Sequence, residues 1–433
     1  MNQGLRREIL ACLGFDGPVA SHFENLQGFR SRDWHSALSW MHISGIALLF
    51  WERVLKLGCE DCIPVRAREA LAASLEEHRT RVAAMMQEFE FLNRHFERAG
   101  IEHAVWKGFA LIPDYCPDAC LRPTYDYDYL ISLKSWEDAQ KLMQSAGYTR
   151  RPQASSDQHL TFERHYLPPH LSLRPRSMYA VSLRRKVELH LCSWDENAFR
   201  IILQLPERPL DRTVRRNWKG QTFYSLGAQD AFVCQAIHAF QHILHNWCRL
   251  GWFWEIAYFL EGKSVDPRFW EELWQFLGCN RPLAEVVALV VSLAAGLFHP
   301  ELTPPVRERM ANGMREQVAL WLRRYGVGSA LDNFSANKYA VFLYREFVQD
   351  EKVWKEIRNS RLLPLHRPHR VEGVPSVTPF AFAPKMLQQS CYAAQRLIHH
   401  LAGGGVYAWE SVRWDWLRRS ARSVEVKPSV TQE

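Results

Sequence analysis

The sequence lacks the features that mark secreted, membrane-spanning and repeat proteins. Its longest apolar run, residues 283–298, contains Glu285 and Ser292 and is shorter than the roughly 20 residues that a spanning helix needs, so we expect a buried helix. The first 17 residues include basic side chains but no continuous apolar segment, and we therefore expect no signal peptide and a cytoplasmic location. No low-complexity tract and no solenoid-period repeat is visible, which argues against a stacked-repeat fold.

Cysteine and histidine pairs that would complete a zinc site are also missing. The chain has 10 cysteines, of which Cys59 and Cys62 have the CxxC spacing of zinc ligands. A structural zinc site needs a second such pair or two histidines at matching spacing, and the sequence offers neither. We therefore expect reduced thiols that are mostly buried.

The composition is that of a large globular protein, with 433 residues, 47% hydrophobic, 23% charged and 17 tryptophans. This length suggests two or three folding units. The net charge of +7 is compatible with polyanionic partners such as nucleotides or RNA, although it is modest for a dedicated nucleic-acid-binding protein. The same charge argues against a strongly cationic substrate.

Hydrophobic periodicity predicts helices at both ends of the chain and strands between them. Residues 1–100 are predicted helical, and the chain is predicted helical again after residue 228. The clearest helical face is formed by Val82, Met85, Phe89, Leu92 and Phe96. A further helix is predicted at 136–148, ending near Gly147. Short strands are predicted at residues 103–107, 125–132 and 186–194.

These patterns predict four parts. They are an N-terminal helical region at 1–100, a small mixed α/β unit at 101–225, a C-terminal helical domain at 226–360, and a proline-rich linker with a basic tail at 361–433. The linker prediction depends on the proline-rich residues 362–385, which are not expected to hold regular structure. The tail contains the sequence WDWLRRSARS, which predicts a short basic amphipathic helix.

Two acids two residues apart stand in the predicted strand at 125–132. On a β-strand, Asp126 and Asp128 project from one face, and Tyr125, Tyr127 and Tyr129 cover the other. Paired carboxylates on one rigid face are the ligands that Mg²⁺ requires. The simpler interpretation is an amphipathic edge strand with its tyrosines inward and its acids in water.

A lysine–glycine pair precedes these acids. Lys107 and Gly108 follow one predicted strand and lead into a predicted helix start, where backbone N–H groups favour anions and glycine permits close approach of a phosphate. Lys107 and Arg122 would add positive charge for a triphosphate. Alternatively, Lys107 is a surface lysine, and Arg122 caps the loop or pairs with Asp118 or Asp126.

A third acid, Glu188, lies in the sequence VELH on a later predicted strand. A site that holds two Mg²⁺ ions needs more than two ligands, so Glu188 is predicted as the third metal ligand or as the base that accepts the acceptor's proton. His190 is predicted to be structural or to orient Glu188.

These residues carry a family resemblance. Lys107-Gly108, Arg122, Asp126, Asp128 and VELH at 187–190 resemble the motifs of the uncharacterised nucleotidyltransferase family, within the DNA polymerase β-like nucleotidyltransferase superfamily. The later HAFQH…CRLGWFWEIAYFL resembles the family's C-terminal helix, with Glu255 where Asp is commoner. The resemblance covers roughly residues 30 to 300.

The resemblance implies an α+β fold with a polymerase β-like core, a small mixed sheet with helices, flanked by N-terminal and C-terminal helical regions. Residues 101–225 would then be the catalytic core. The implied activity is transfer of a nucleotidyl group from an NTP, with two Mg²⁺ ions held by Asp126, Asp128 and Glu188. Tyr125 and Tyr127 depart from the small and aliphatic residues usual at those positions, which predicts a reshaped nucleotide pocket.

The acceptor and the role of a histidine face stay open. A natural product or peptide, a saccharide or an RNA are the acceptors considered. His238, His242 and His245 share one helical face, and with no acid at matching spacing we predict packed histidines rather than metal ligands. The alternative function is a catalytically inactive nucleotidyltransferase-like protein that binds nucleotide or a protein partner. A helical scaffold with an accidental DxD would leave the order of the motifs unexplained.

Overall fold

A computed structural model describes most of the chain. The residues described are 2–17, 19–151, 156–164, 177–181, 185–278, 280–332, 337–362 and 382–425. The chain forms two compact units. The first comprises Met1–Phe240 and Arg249–Gly313, and the second comprises Gln241–Cys248 and Met314–Glu433.

One mixed sheet lies in the first unit. Its strands are β1 His103–Val105, β2 Asp126–Ile131, β3 Thr149–Arg150, β4 His159–Glu163, β5 Lys186–His190, β6 Val214–Trp218 and β7 Gln221–Ser225. Their spatial order is β3-β4-β5-β2-β1-β7-β6. The central strand β2 is antiparallel to β1 and parallel to β5. The three predicted strands are therefore confirmed as β1, β2 and β5, each shorter than predicted.

Four of the seven strands, namely β3, β4, β6 and β7, were not predicted from the sequence. The hairpin of β6 and β7 shows why, because no residue of β6 is buried and the apolar alternation of a half-buried strand is missing. The hairpin turn is formed by Lys219 and Gly220, which both have positive φ angles of 49° and 78°. This is the conformation of the tight turn that matches the twist of two antiparallel strands.

Helices lie before, between and after these strands along the chain. They are α1 Gln3–Cys12, α2 Val19–Asn25, α3 Ser31–Ser44, α4 Ala47–Leu57, α5 Val65–Arg98, α6 Trp136–Ser145, α7 Glu196–Phe199, α8 Ala228–Leu244, α9 Leu250–Lys263, α10 Pro267–Leu277, α11 Arg281–Phe298 and α12 Pro304–Asn312. From Gln241 onward, α8 is grouped with the second unit. The helices predicted before residue 100, at 136–148 and after residue 228 are confirmed where the structure describes the chain.

The long helix α5 covers one face of the sheet. All five members of the predicted apolar face are buried. Phe89 lies with its ring centroid 5.0 Å from that of Phe109 and 5.1 Å from that of Phe223, and Phe96 meets Tyr129 edge-on at 4.8 Å. Burial of this aromatic surface fixes the sheet against α5 and directs the tyrosines of β2 towards the helix.

Helix α11 is long and apolar enough to cross a membrane by length and composition alone. However, 67% of its 18-residue window is buried inside the protein, which is what the core helix predicted at 283–298 requires. Its Glu285 is 1% exposed.

The regular secondary structure among the described residues of the second unit is helical. Its helices are α13 Glu316–Trp321, α14 Val327–Leu331, α15 Ala340–Phe347, α16 Glu351–Leu362 and α17 Phe382–Glu425. The Trp414 ring of α17 packs at 5.7 Å from Tyr325 and 5.5 Å from Phe342. These aromatic side chains form the core of this unit.

Two predictions about the C-terminus need correction. The proline-rich stretch at 362–385 lies mostly outside the described residues, but its last residues, from Phe382, are helical in α17. The short tail helix predicted from WDWLRRSARS is instead the end of this 44-residue helix. The helix continues because no proline interrupts residues 386–425.

Candidate active site

Three carboxylates converge on one face of the two central parallel strands. Asp128 of β2 is the direct register partner of Glu188 of β5, so their side chains emerge next to each other. Asp126 precedes Asp128 by two residues and therefore projects from the same face. Asp128 is 2% exposed, whereas Asp126 and Glu188 are half-buried. The strand register thus brings together all three acids that the sequence analysis selected.

The tyrosines of β2 point away from these acids. The Tyr127 hydroxyl donates to the Met85 carbonyl at 3.0 Å and to Oε2 of Glu88 at 2.9 Å, both on α5. Tyr127 therefore does not reshape a pocket on the acidic face, contrary to the expectation from its departure from the family pattern. Tyr125 precedes the strand, and its ring lies under two guanidinium groups, those of Arg81 at 5.6 Å and Arg249 at 5.2 Å.

Lys107 lies directly on the acidic face. Its Nζ is 3.0 Å from Oδ1 of Asp128 and 4.0 Å from the centroid of the Trp106 ring. Burial opposes the charged form of Lys107, but the charges of Asp128, Glu188 and Asp126 raise its pKa above the ordinary lysine value. The amine is therefore a fixed positive charge within the site, and the alternative of a solvated surface lysine is wrong.

Gly108 follows with a φ of +62° and begins a single 3₁₀ turn, Gly108–Leu111. A Cβ here would lie 3.7 Å from Cγ2 of Thr124 and 3.9 Å from the Asp126 carbonyl oxygen, which are ordinary contacts. Glycine is therefore required by the left-handed backbone rather than by space. The helix start predicted after Gly108 is real but only one turn long.

The charges within the acidic face are poorly balanced. Burial, together with the negative charges of Asp128 and Glu188, raises the pKa of Asp126 to about 7. Burial also opposes ionisation of Asp128, but Lys107 and His190 hold the pKa of Asp128 below its ordinary value. For Glu188 burial is again outweighed, and the hydrogen bond from His159 lowers its pKa. One lysine thus faces three acids, and of these acids Asp126 is the one whose pKa is raised.

Arg122 has a different partner from those considered from the sequence. Its Nε lies 3.0 Å from Oε1 of Glu255 on α9, and its NH1 donates to the Thr124 hydroxyl at 3.0 Å. Arg122 and Glu255 are both buried. Burial raises the pKa of Glu255, while Arg122 opposes that rise. Pairing with Asp118 or Asp126 was wrong because the partner comes from a helix distant in sequence.

Two histidines lie beside the carboxylates. His190 Nε2 is 3.1 Å from Oδ1 of Asp128 and 3.8 Å from Oε2 of Glu188. His159 Nε2 is 3.3 Å from the same Glu188 oxygen. His190 had been assigned an orienting role at most, and His159 was missed. The alternation of HLTFE, with Leu160 and Phe162 buried, is the signal that would have found its strand.

The face of His238, His242 and His245 forms no such cluster. Among the described residues, the one group of three candidate ligands within 4.8 Å of one another is His159, Glu188 and His190. The His238 ring contacts Trp252 at 4.9 Å and the His242 ring contacts Trp247 at 5.0 Å. Burial lowers the pKa of His245 to about 4. These are the packed histidines that the sequence predicted.

Comparison with known proteins identifies the family. The family model described as "Uncharacterised nucleotidyltransferase" matches residues 30–298, which is more than half of the chain. The chain belongs to the uncharacterised nucleotidyltransferase family. The match includes every residue of the acidic face and agrees closely with the resemblance found in the sequence. No curated protein and no solved structure matches the chain.

Membership of the nucleotidyltransferase family agrees with the observed architecture. The structure is a mixed α and β arrangement with one seven-stranded sheet and flanking helices, as predicted for the α+β class. The polymerase β-like character of the core stays a prediction, and so does the four-part division of the chain.

Proposed function

We propose that this protein is a Mg²⁺-dependent nucleotidyltransferase with a polymerase β-like core, which moves an NMP group from an NTP to an acceptor hydroxyl or phosphate. The observation that carries the proposal is the convergence of Asp126, Asp128 and Glu188 on adjacent strands, with Lys107 in contact with Asp128. Family membership supports the same class of reaction.

The donor set suits hard divalent cations. Three carboxylates supply the anionic oxygens that Mg²⁺ prefers, and one lysine leaves their charge only partly compensated. Burial, and after it the negative charges of Asp128 and Glu188, raises the pKa of Asp126. Asp126, Asp128 and Glu188 would hold the metal, with two ions accommodated when the phosphates of the nucleotide supply further oxygens. Bound Mg²⁺ would neutralise charge on the phosphates during an in-line displacement.

The neighbouring residues provide the phosphate contacts. Lys107 keeps its charge next to the carboxylates, and its amine would bind a phosphate oxygen as pyrophosphate departs. The turn at Gly108 presents the first N–H groups of a 3₁₀ turn, which lack partners within that turn. Arg122 would bind the triphosphate while its other edge stays on Glu255. Glu188 would serve as the third ligand or accept the acceptor's proton.

For the acceptor we propose only a chemical class. A net charge of +7 favours an anionic acceptor such as RNA over a cationic aminoglycoside, and a saccharide or a natural product or peptide is compatible with it. The alternative, an inactive nucleotide- or partner-binding relative, is less well supported because all three carboxylates, Lys107 and Gly108 are present together.

Calorimetry with each of the four NTPs, with and without Mg²⁺, tests this proposal. We expect metal-dependent binding of at least one NTP by the wild type and loss of that binding in Asp126→Asn/Asp128→Asn. A matched control is Glu137→Gln/Asp138→Asn, which removes two exposed acids from α6. Absence of binding for all four NTPs by the folded wild type would contradict the proposal, as would equal binding by the site variant.

A further inference from the structure

The two histidines beside Glu188 meet it in a geometry that mutual hydrogen bonding alone does not require. His159 of β4 and His190 of β5 are direct register partners, and their rings stack at 4.5 Å with an interplanar angle of 22°. Both Nε2 atoms approach the same oxygen, Oε2 of Glu188, at 3.3 and 3.8 Å.

These separations resemble the edges of a metal coordination polyhedron. Ligand atoms bound at about 2.0–2.1 Å in a tetrahedron lie roughly 3.3–3.4 Å apart. The three ligand atoms of His159, Glu188 and His190 all lie within 4.8 Å of one another, and Oδ1 of Asp128 is 3.1 Å from the His190 nitrogen. A small adjustment of these side chains would place two nitrogens and one or two oxygens around one ion.

The chemistry of the donors selects the ion. Mg²⁺ takes oxygen ligands and rarely imidazole, whereas two imidazoles with a carboxylate suit Zn²⁺, Co²⁺ and related transition metals. We propose that His159, His190 and Glu188 bind one transition-metal ion of the Zn²⁺ class, beside the carboxylates proposed to hold Mg²⁺. The role of this ion, though not its binding, rests on the proposed function. Glu188 would join the two sites and be held in place from its histidine side.

Cobalt is the probe for this site, because Co²⁺ in a tetrahedral nitrogen–oxygen site absorbs visible light. Untagged protein is titrated with Co²⁺ in excess Mg²⁺, so that oxygen-only sites are already filled. We expect one bound Co²⁺ per chain with the tetrahedral spectrum, and competition by Zn²⁺. His159→Asn and His190→Asn should each weaken Co²⁺ binding by at least about tenfold, since loss of a ligand costs no less than loss of a ligand's supporting partner.

The matched control is His22→Asn, because His22 also contacts a carboxylate, with Nδ1 2.8 Å from Oε2 of Glu8, but lies outside the site. Circular dichroism confirms that each variant is folded. A folded wild type without the Co²⁺ spectrum overturns the inference, as do equal Co²⁺ affinities in both site variants and the wild type, and the histidines then only orient Glu188. Mg²⁺-dependent NTP binding, measured separately, reports on the proposed function alone.

A second inference comes from the second unit, where α17 has two apolar faces. One face is buried, with Trp414 2% exposed. The other is open, with Ile398 66%, Trp409 79%, Val412 74% and Trp416 64% exposed. Exposed apolar patches of this kind mark interaction surfaces.

The open face has the spacing of a helix-pairing seam. It consists of Ile398, Ala402, Gly405, Trp409, Val412 and Trp416, which recur in alternating steps of four and three residues. This 3.5-residue period is that of coiled coils, which bury such a seam against a second helix. We call these six residues the α17 seam.

The α17 seam is complementary to itself in one orientation. Its six positions are symmetric about residue 407, so in an antiparallel pair Gly405 faces Trp409. Ala402 then faces Val412, and Ile398 faces Trp416. Every smaller residue thus meets a larger one, whereas a parallel pair would place tryptophan on tryptophan and glycine on glycine.

We propose that the α17 seam pairs antiparallel with the same seam of a second copy of this chain, in a two-fold dimer. One helix pair buries an area at the low end for stable interfaces, so we expect a concentration-dependent dimer.

Sedimentation equilibrium over a range of concentrations tests this dimer. Trp409→Glu should make the protein monomeric, whereas Val265→Glu, at a position 71% exposed in the first unit, should not. Gly405→Trp should also weaken the dimer by a clash of two tryptophans. The double variant Gly405→Trp/Trp409→Gly restores large against small only in the antiparallel pair, so it should dimerise better than Gly405→Trp alone.

A folded wild type that is monomeric at every concentration overturns the dimer, and so does a dimer that Trp409→Glu leaves intact. If a monomer instead binds anionic phospholipid vesicles with a blue shift of tryptophan fluorescence, a membrane surface is the occupant and the dimer is rejected. Circular dichroism at 222 nm checks that α17 remains helical in each variant.

Discussion

Carboxylates lie on both faces of strand β2, and the two faces differ in how this negative charge is compensated. On the tyrosine face, Glu88 of α5 accepts hydrogen bonds from Tyr127 at 2.9 Å, from Tyr148 at 2.5 Å and from Nε of Arg185 at 2.6 Å. One carboxylate there has three donors, one of them cationic. This group has the composition of a structural ion pair.

On the acidic face the ratio is reversed, since three carboxylates share one lysine and the rings of two histidines. Burial first, and then the charges of Asp128 and Glu188, raises the pKa of Asp126 to about 7. Burial alone therefore does not separate structural acids from functional ones. The balance of donors and charges distinguishes the two faces, and an excess of carboxylates is what the proposed Mg²⁺ site requires.

The largest change in stability is expected from a substitution of Glu88, the carboxylate with three donors. Glu88→Gln removes the carboxylate that Arg185 contacts at 2.6 Å within the core, and should lower the free energy of unfolding by about 3–5 kcal/mol. Urea unfolding followed by circular dichroism measures this change. Glu97→Gln, at an exposed position of the same helix, should stay within about 0.5 kcal/mol of wild type. Equal stabilities for the two variants would refute the structural assignment of Glu88.

A smaller effect is expected when Mg²⁺ completes the unbalanced group. At ten times its dissociation constant, Mg²⁺ should raise the free energy of unfolding by about 1.4 kcal/mol through binding to the native state. Thermal unfolding with and without Mg²⁺ measures it. The gain should vanish in Asp126→Asn/Asp128→Asn and persist in Glu137→Gln/Asp138→Asn, and a gain of the same size in the site variant would locate the ion elsewhere.

Removing a carboxylate from the unbalanced group should stabilise the metal-free protein. Because the pKa of Asp126 is raised from 3.8 to about 7, the native state binds more protons than the unfolded state between these values, and stability falls as pH rises through this window. In the presence of a chelator, the free energy of unfolding of Asp126→Asn should exceed that of the wild type by about 1 kcal/mol at pH 8, after allowance for solvent screening. The difference should be smaller at pH 5. A loss of stability at pH 8 would show that Asp126 is structural.

The smallest change in stability is expected from Tyr127→Phe, which alters only the tyrosine face of β2. Tyr127→Phe removes one hydroxyl from Glu88 but leaves Tyr148 and Arg185 in place, so we expect a loss of about 0.5–1 kcal/mol. Mg²⁺ stabilisation should be unchanged, because Tyr127 points away from the acids. Changed Mg²⁺ stabilisation in Tyr127→Phe, measured by the same thermal assay, would mean that the two faces are coupled.

Local pattern was sufficient for the two acids of β2, whereas Glu188 joins them only through the pairing of β5 with β2. The period-two alternation from Tyr125 to Tyr129 predicted which side chains share a face, and the helical period of α5 predicted the surface that covers the tyrosines. Both depend on residues close in sequence, so one stretch of chain contains the information.

Long-range partners were not predictable in this way. Glu255 lies on α9, far in sequence from Arg122, and His159 meets His190 only because β4 pairs with β5. Such contacts follow from strand order and helix docking, which local periodicity does not encode. The edge hairpin of β6 and β7 was missed for another reason, because its exposed first strand carries no apolar alternation.

Helix α5 also has a consequence for the choice of protein fragments. A fragment that starts at residue 101 would keep the acidic face but lose Phe89, Phe96 and Glu88, which cover and bind the opposite side of the sheet. Tyr127, Tyr129 and Phe223 would then face solvent, and such a surface promotes aggregation. The shortest soluble fragment that retains the candidate site is therefore expected to begin no later than Val65, where α5 starts.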